Sequence, residues 1–149
     1  MDRFATGRKI ALATAVSGTL DIAMAIGLTV FAGRSVTAML RGVASGPFPP
    51  ATDWGEGGAI LGLLVHYALM AIMAAIYMVA ARRMTALRAQ PLLWGVLYGL
   101  ATYVAMNWVV VPLRFGIFPH SAMAIASQLF SHVVFVGLPF AYIARRIRG

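Results

Sequence analysis

The sequence predicts an all-α integral membrane protein, a bundle of four transmembrane helices. Three observations predict it. Of 149 residues, 61% are hydrophobic and only 11% charged, against about 25% charged in an ordinary soluble domain. The apolar residues gather into four runs, each reaching the roughly 20 residues that a helix needs to cross ~30 Å of hydrocarbon. The basic residues fall between these runs rather than within them, the charge pattern of a chain threaded through a bilayer. Windows of 22 residues place the spans at Ile10–Phe31, Ala59–Ala80, Leu92–Leu113 and Ser121–Tyr142, so residues 1–149 read as a single transmembrane domain without space for a soluble one.

The first span opens with MDRFATGRKIALATAVSGTL, whose basic head and apolar body also suit a signal peptide. Asp21 interrupts the apolar run, so a retained helix is expected. Around Asp21, positions at helical spacing are Thr14, Ser17, Gly18, Ala25 and Thr29, all small or weakly polar, which is the packing surface of a membrane helix. Asp21 is therefore expected to face other helices. In the loop that follows, Val36, Met39, Leu40 and Val43 recur at i, i+3, i+4 and i+7, opposite Arg34, Thr37, Arg41 and Ser45. This predicts a short amphipathic helix lying at the outer surface. GPFPPATDWGEGG then returns the chain to the membrane, its prolines and glycines excluding regular helix. The segment reads either as a plain connector or as a lid over the bundle. Its Asp53 and Glu56 read as solvated loop carboxylates, with an exterior cation site as the sharper alternative.

The second span, GLLVHYALMAIMAAIYMVAA, is apolar throughout except for His66, which has Ala59 and Gly62 above it and Met70, Met73 and Tyr77 below. A short basic loop leads to Pro91, which can open the third span because its missing N–H would be unpaired there anyway. In that span Asn107 shares a stripe with Tyr103, and Gly95 and Gly99 form a GxxxG spacing that admits a close neighbour. Trp94 and Trp108, near its two ends, suit interfacial anchoring. RFGIFPH makes the third loop, with His120 read as a surface residue or, beside Arg114, as an access control. The fourth span carries His132 with Gln128 one turn above. Pro139 deprives the Phe135 carbonyl of its usual donor, which predicts a kink just below His132.

Counted from the outer ends of the predicted spans at 1.5 Å per residue, these polar groups lie about 9 to 16 Å deep. They fall into two layers, Asp21 with His132 near the midplane and His66 with Asn107 about 6 Å above. An ionised aspartate in hydrocarbon costs roughly 2.5–3.5 kcal/mol on insertion scales and so needs a partner. The first reading of Asp21, His66, Asn107, Gln128 and His132 is a hydrogen-bonded polar centre that fixes helix pairing, in a structural or assembly protein. The alternatives are a proton or small-solute path, since histidine titrates near neutrality, and a redox centre: a b-type haem on His66 and His132, or a divalent metal on those two and Asp21. No bound cofactor is the first expectation. Nothing matches a nucleophile elbow, a P-loop, HExxH or GxGxxG, so no catalytic residue is assigned. The absence of cysteine removes disulfides, thiolate metal sites and CxxCH haem attachment.

The order HYALMAIMAAIY, PLLWGVLYG, VVVPLRFGIFP, QLFSHVVF and IARRIR, over residues 65–149, resembles the small four-span bacterial inner-membrane proteins of the YagU type. The resemblance implies an inner-membrane location and points to His66, Pro112 and His132. It implies no reaction.

The net charge of +8 would suggest nucleic acid in a soluble protein. Here Arg3, Arg8, Lys9, Arg82, Arg83, Arg88, Arg145, Arg146 and Arg148 lie on one side of the predicted bundle, and only Arg34, Arg41 and Arg114 on the other. The excess reports orientation, with both termini cytoplasmic. The expected partners are the lipid bilayer and a membrane protein or second copy of the chain, not nucleic acid. Reporter fusions after Arg88 and at the C-terminus should therefore report the cytoplasm, and one near Pro50 the opposite compartment. A C-terminus on the far side would refute this orientation.

Overall fold

A computed structural model describes residues 3–146; Arg148, one of the nine basic residues above, lies outside them. Among the described residues there is no strand. The helices are α1 (Arg3–Phe31), α2 (Val36–Ala44), α3 (Gly55–Arg83) and α4 (Thr85–Ala89), followed by α5 (Pro91–Phe115) and α6 (Ala122–Ala144). The four long ones, α1, α3, α5 and α6, are each long and apolar enough to cross a membrane. The protein is thus an all-α, four-helix membrane bundle. Several helices overrun the predicted windows, α3 by beginning at Gly55 rather than Ala59. Apolarity ends at the hydrocarbon edge, whereas helical hydrogen bonding continues until a turn residue stops it.

Local chemistry sets the connections. After α1 the chain turns through Gly33 at φ 67°. The Arg34 N–H bonds the Thr29 carbonyl and the Gly33 N–H the Val30 carbonyl, both at 2.9 Å, the paired closure of a Schellman motif. Ser35 then caps α2, its hydroxyl accepting from the Ala38 N–H at 3.2 Å. The amphipathic helix of the first loop therefore forms where its periodicity predicts. It does not lie free at the surface, however, because its apolar face packs on α3. Pro49–Asp53 forms a single 3₁₀ turn before α3. Ser121 caps α6 by accepting from the Ala124 N–H at 3.1 Å.

The bundle has two unlike ends. One carries α4, the start of α1 and the end of α6 and is closely packed: Ala74, Tyr77, Met78 and Ala81 of α3 and Phe140, Ala141 and Ala144 of α6 are all essentially inaccessible. Tyr77 and Tyr98 meet edge-on at 4.9 Å. The Tyr98 hydroxyl donates to the Met73 carbonyl at 2.7 Å, tying α5 to α3. Trp94, expected at the interface, instead packs against this core, and its indole N–H has no partner among the described residues. Trp108 stays half-exposed. Around the outside, Leu20, Ile60, Leu64, Ile72, Ile76, Leu92, Leu97 and Val104 face outward. That belt is suited to lipid chains and not to water.

Helix pairs meet through missing side chains. A Cβ on Gly99 would lie 2.6 Å from the His132 carbonyl oxygen and from Val133 Cα, and one on Gly137 would run into the Gly95 carbonyl. These glycines bring the α5 and α6 backbones together. A Cβ on Gly62 would run into the Leu40 carbonyl, so Gly62 seats α2 on α3. Such backbone approach is how membrane helices gain packing energy when the surrounding lipid is as apolar as they are. Gly62→Leu should lower stability in mixed micelles by about 1–3 kcal/mol, the range for overpacking. Gly27→Ala, where nothing lies within 4 Å, should leave it unchanged, as read by thermal unfolding.

Candidate functional site, an intramembrane cavity

Toward the α2 end the packing opens. A cavity of about 200 Å³ there is lined by Asp21, His66, Asn107, Gln128 and His132 together. Its wall also takes Met39 and Val43 from α2 and Met70, Met73 and Met106 from α3 and α5. Every membrane-crossing helix contributes, and α2 covers one side.

The true helix ends correct the two-layer arrangement expected from the sequence. His66 lies 11 residues from the start of α3 at Gly55, Asp21 10 from the end of α1 at Phe31, and His132 10 from the start of α6 at Ala122. At 1.5 Å per residue all three sit about 15–17 Å from the ends of their helices nearest α2. The pairing differs accordingly. Asp21 makes no hydrogen bond to His132, although both face the cavity: its Oδ1 accepts a hydrogen bond from the Ser131 hydroxyl, and its Oδ2 lies 3.9 Å from His66 Nδ1. Asn107 does not meet His66. Its amide donates to the Tyr103 carbonyl of its own helix at 3.3 Å.

The hydrogen bonds assign the histidine protons. His66 Nε2 lies 2.9 Å from the Gly18 carbonyl, which can only accept, so Nε2 carries hydrogen and Nδ1 is the nitrogen turned to Asp21. Gly18 makes this possible, since a Cβ there would lie 2.6 Å from the Tyr67 ring and hold α3 away from α1. His132 Nδ1 lies 3.1 Å from Thr102 Oγ1. The Thr102 hydroxyl hydrogen goes to the Gly99 carbonyl at 3.0 Å, so Thr102 accepts from His132, and Nε2 keeps its lone pair. Asp21 and His66 together form a carboxylate–imidazole pair. A gap of 3.9 Å is beyond a direct hydrogen bond and suits an ion pair or a bridging water.

Both prolines in the spans shape the site. Before Pro112, residues Ala105–Val110 form a π-helical turn, and the Val111 N–H bonds the Met106 carbonyl five residues back. Before Pro139, Ser131–Gly137 does the same, with the Leu138 N–H on the Val133 carbonyl. The kink expected below His132 thus takes the form of a widened turn that includes His132. Wide turns of this kind alter which way side chains face and recur at functional sites. One presents Met106 and Asn107, the other Ser131 and His132.

No protein-family model, curated protein or solved structure matches the chain. The chemistry therefore rests on these residues. Among the described residues no three His, Cys, Asp or Glu side chains come together as a metal-binding group, so Asp21, His66 and His132 do not form the divalent site weighed from the sequence. A haem fits poorly too. The cavity is smaller than the roughly 300–1,000 Å³ of drug-sized ligand pockets, and His66 Nε2 is held by Gly18. His120 is exposed, with Nδ1 3.2 Å from the Phe118 carbonyl, and Asp53 and Glu56 are exposed as well. None of the three lines the cavity. Sequence reasoning placed Met70 and Met73 on the His66 face but missed Ser131, Thr102 and Met106. The neighbour of His132 in QLFSHVVF was a signal for Ser131, but methionine in an apolar helix carries none.

A double-mutant cycle between Asp21→Ala and Ser131→Ala should show coupling of about 0.5–1.5 kcal/mol, the range for interhelical hydrogen bonds in membranes. The Asp21→Ala and His132→Ala cycle, with no hydrogen bond between the two, should show a smaller coupling, both measured by reversible unfolding in mixed micelles.

Proposed function

We propose that this protein resides in a bacterial inner membrane with both termini cytoplasmic. There it takes a small polar solute or cation into the Asp/His cavity, as a binding or transport protein and not as an enzyme. One observation carries the reading: the five polar residues of the spans line a single cavity beneath α2. A centre built only to hold helices together would fill that space with its own hydrogen bonds. Here Asp21, His66 and His132 spend one bond each on Ser131, Gly18 and Thr102 and keep further capacity for the cavity. The Asp21–His66 pair also offers a place for a proton to accompany the solute.

The helix α2 serves as the cover. Arg114 at the end of α5 donates to the Gly46 carbonyl at 2.7 Å and the Ser45 carbonyl at 2.8 Å. It holds the carbonyl end of α2 with a positive charge, the favourable pole for that terminus. A structural or assembly role, with another membrane protein or a second copy as partner, is the second reading. It is favoured by the fact that each of the three site bonds joins two different helices.

The chain has no cysteine, so a single introduced thiol reports access. A water-soluble methanethiosulfonate should label Gln128→Cys slowly, and several-fold faster once Arg114→Gln frees α2. Ile72→Cys on the lipid belt should stay unreactive. A Gln128 thiol inert in both backgrounds but reactive after denaturation would establish a dry, structural centre.

A further inference from the structure

Four methionines, Met39, Met70, Met73 and Met106, line the same cavity as His66 and His132. We infer that this constellation is a binding site for a soft monovalent metal ion, Cu(I) in the first instance, with Ag(I) as its redox-inert stand-in. The inference deepens the binding-cavity reading above and rests on it.

Three independent features point the same way. The first is donor softness. Thioether sulfur and imidazole nitrogen are the neutral ligands that select Cu(I), whereas Mg, Ca and Mn ask for carboxylate, carbonyl and water oxygens. The second is the state of the histidines. Metal-binding histidines characteristically donate their other ring N–H to an oxygen acceptor, which orients the ring and fixes the tautomer. Both do so here, His66 to the Gly18 carbonyl at 2.9 Å and His132 to Thr102 at 3.1 Å. His132 therefore has Nε2 left for a ligand, and His66 presents Nδ1 on the cavity side, 3.9 Å from the Asp21 carboxylate. The third is charge. Asp21 is the one carboxylate in the cavity wall. A single positive ion beside one carboxylate leaves the buried site neutral, which the hydrocarbon surroundings favour; a divalent ion would leave an uncompensated charge.

Methionine is also a flexible filler of apolar cores, and Met78, fully buried in the solid end of the bundle, serves as one. Met70 and Met73 also touch that core, but filling does not explain why four of the nine methionines border a cavity that remains open. The space suits an ion with its ligands: at roughly 30 Å³ per water, about 200 Å³ holds only a few small species. Met39 is carried by α2, so the cover itself supplies a ligand, and closure and coordination become one event.

The test uses the full chain in nanodiscs. Anaerobic competition with a chromogenic Cu(I) chelator should show one Cu(I) bound per chain, Ag(I) should compete for it, and Zn(II) should not. X-ray absorption should show sulfur and nitrogen neighbours together. Met73→Leu combined with Met106→Leu keeps volume nearly constant and should weaken Cu(I) at least tenfold. Met123→Leu, at a position 72% exposed, should change nothing. His132→Gln should remove the nitrogen signal in part. Cu(I) affinity unchanged in the double leucine variant, or Zn(II) bound as tightly as Cu(I), would overturn the inference. No Cu(I) or Ag(I) binding in a protein whose Gln128→Cys thiol is reachable would end the soft-metal assignment and leave the binding cavity standing. An inert thiol would end both.

Discussion

In lipid an apolar side chain gains nothing by moving from a hydrocarbon tail to a neighbouring helix, so helices associate by how closely their backbones approach. This protein depends on that approach at three seams. Gly18 lets Tyr67 rest on α1, Gly62 seats Leu40 of α2 on α3, and Gly95 and Gly99 interlock with Gly137 and the His132 backbone. Two of the seams also place a polar group. The Gly18 carbonyl is the acceptor for His66. The α5–α6 contact at Gly99 brings Thr102 to His132. The Gly62 seam holds α2 over the space between.

The two ends of the bundle divide the work. At the basic end, tyrosine, phenylalanine and alanine form a buried core, and long side chains such as Tyr98 reach backbone carbonyls of other helices. That end bears the stability. The α2 end can then tolerate a cavity, whose lining residues lose contacts on one side. The solid half keeps Asp21, His66 and His132 at a common depth while the space between them stays open. Ser131, Gly18 and Thr102 each provide one bond, enough to orient the side chains and too few to occupy them.

Proline supplies the remaining asymmetry. Pro112 and Pro139 each follow a π-helical turn, so the two helices that pair most closely through glycine are both wide where they meet the cavity. Removing an N–H from a helix in lipid leaves a carbonyl needing a partner, and the wider turn redistributes the bonds locally. Arg114, a few residues past the first of these turns, reaches the exposed carbonyls after α2. A cation at the membrane edge thereby couples the third span to the cover of the cavity.

Much was legible in the sequence. Hydrophobic run length determines membrane crossing, because helix rise and bilayer thickness are fixed, and the four-helix class follows from it. The helical period of Val36, Met39, Leu40 and Val43 marked α2, and the GxxxG spacing of Gly95 and Gly99 marked a close helix pair. That Asp21, His66, Asn107, Gln128 and His132 belong to inward faces could be argued from small neighbours and burial cost. Which of them meet could not. Pairing depends on helix ends displaced by a few residues, as at Gly55, and each residue of displacement moves a side chain about 1.5 Å in depth and 100° in azimuth. Tertiary packing alone therefore matched Asp21 with Ser131 and His66 and sent Trp94 into the core. It also brought four methionines, from three helices with the loop helix α2 among them, to the wall of one cavity, because residues far apart in sequence meet only when the helices pack.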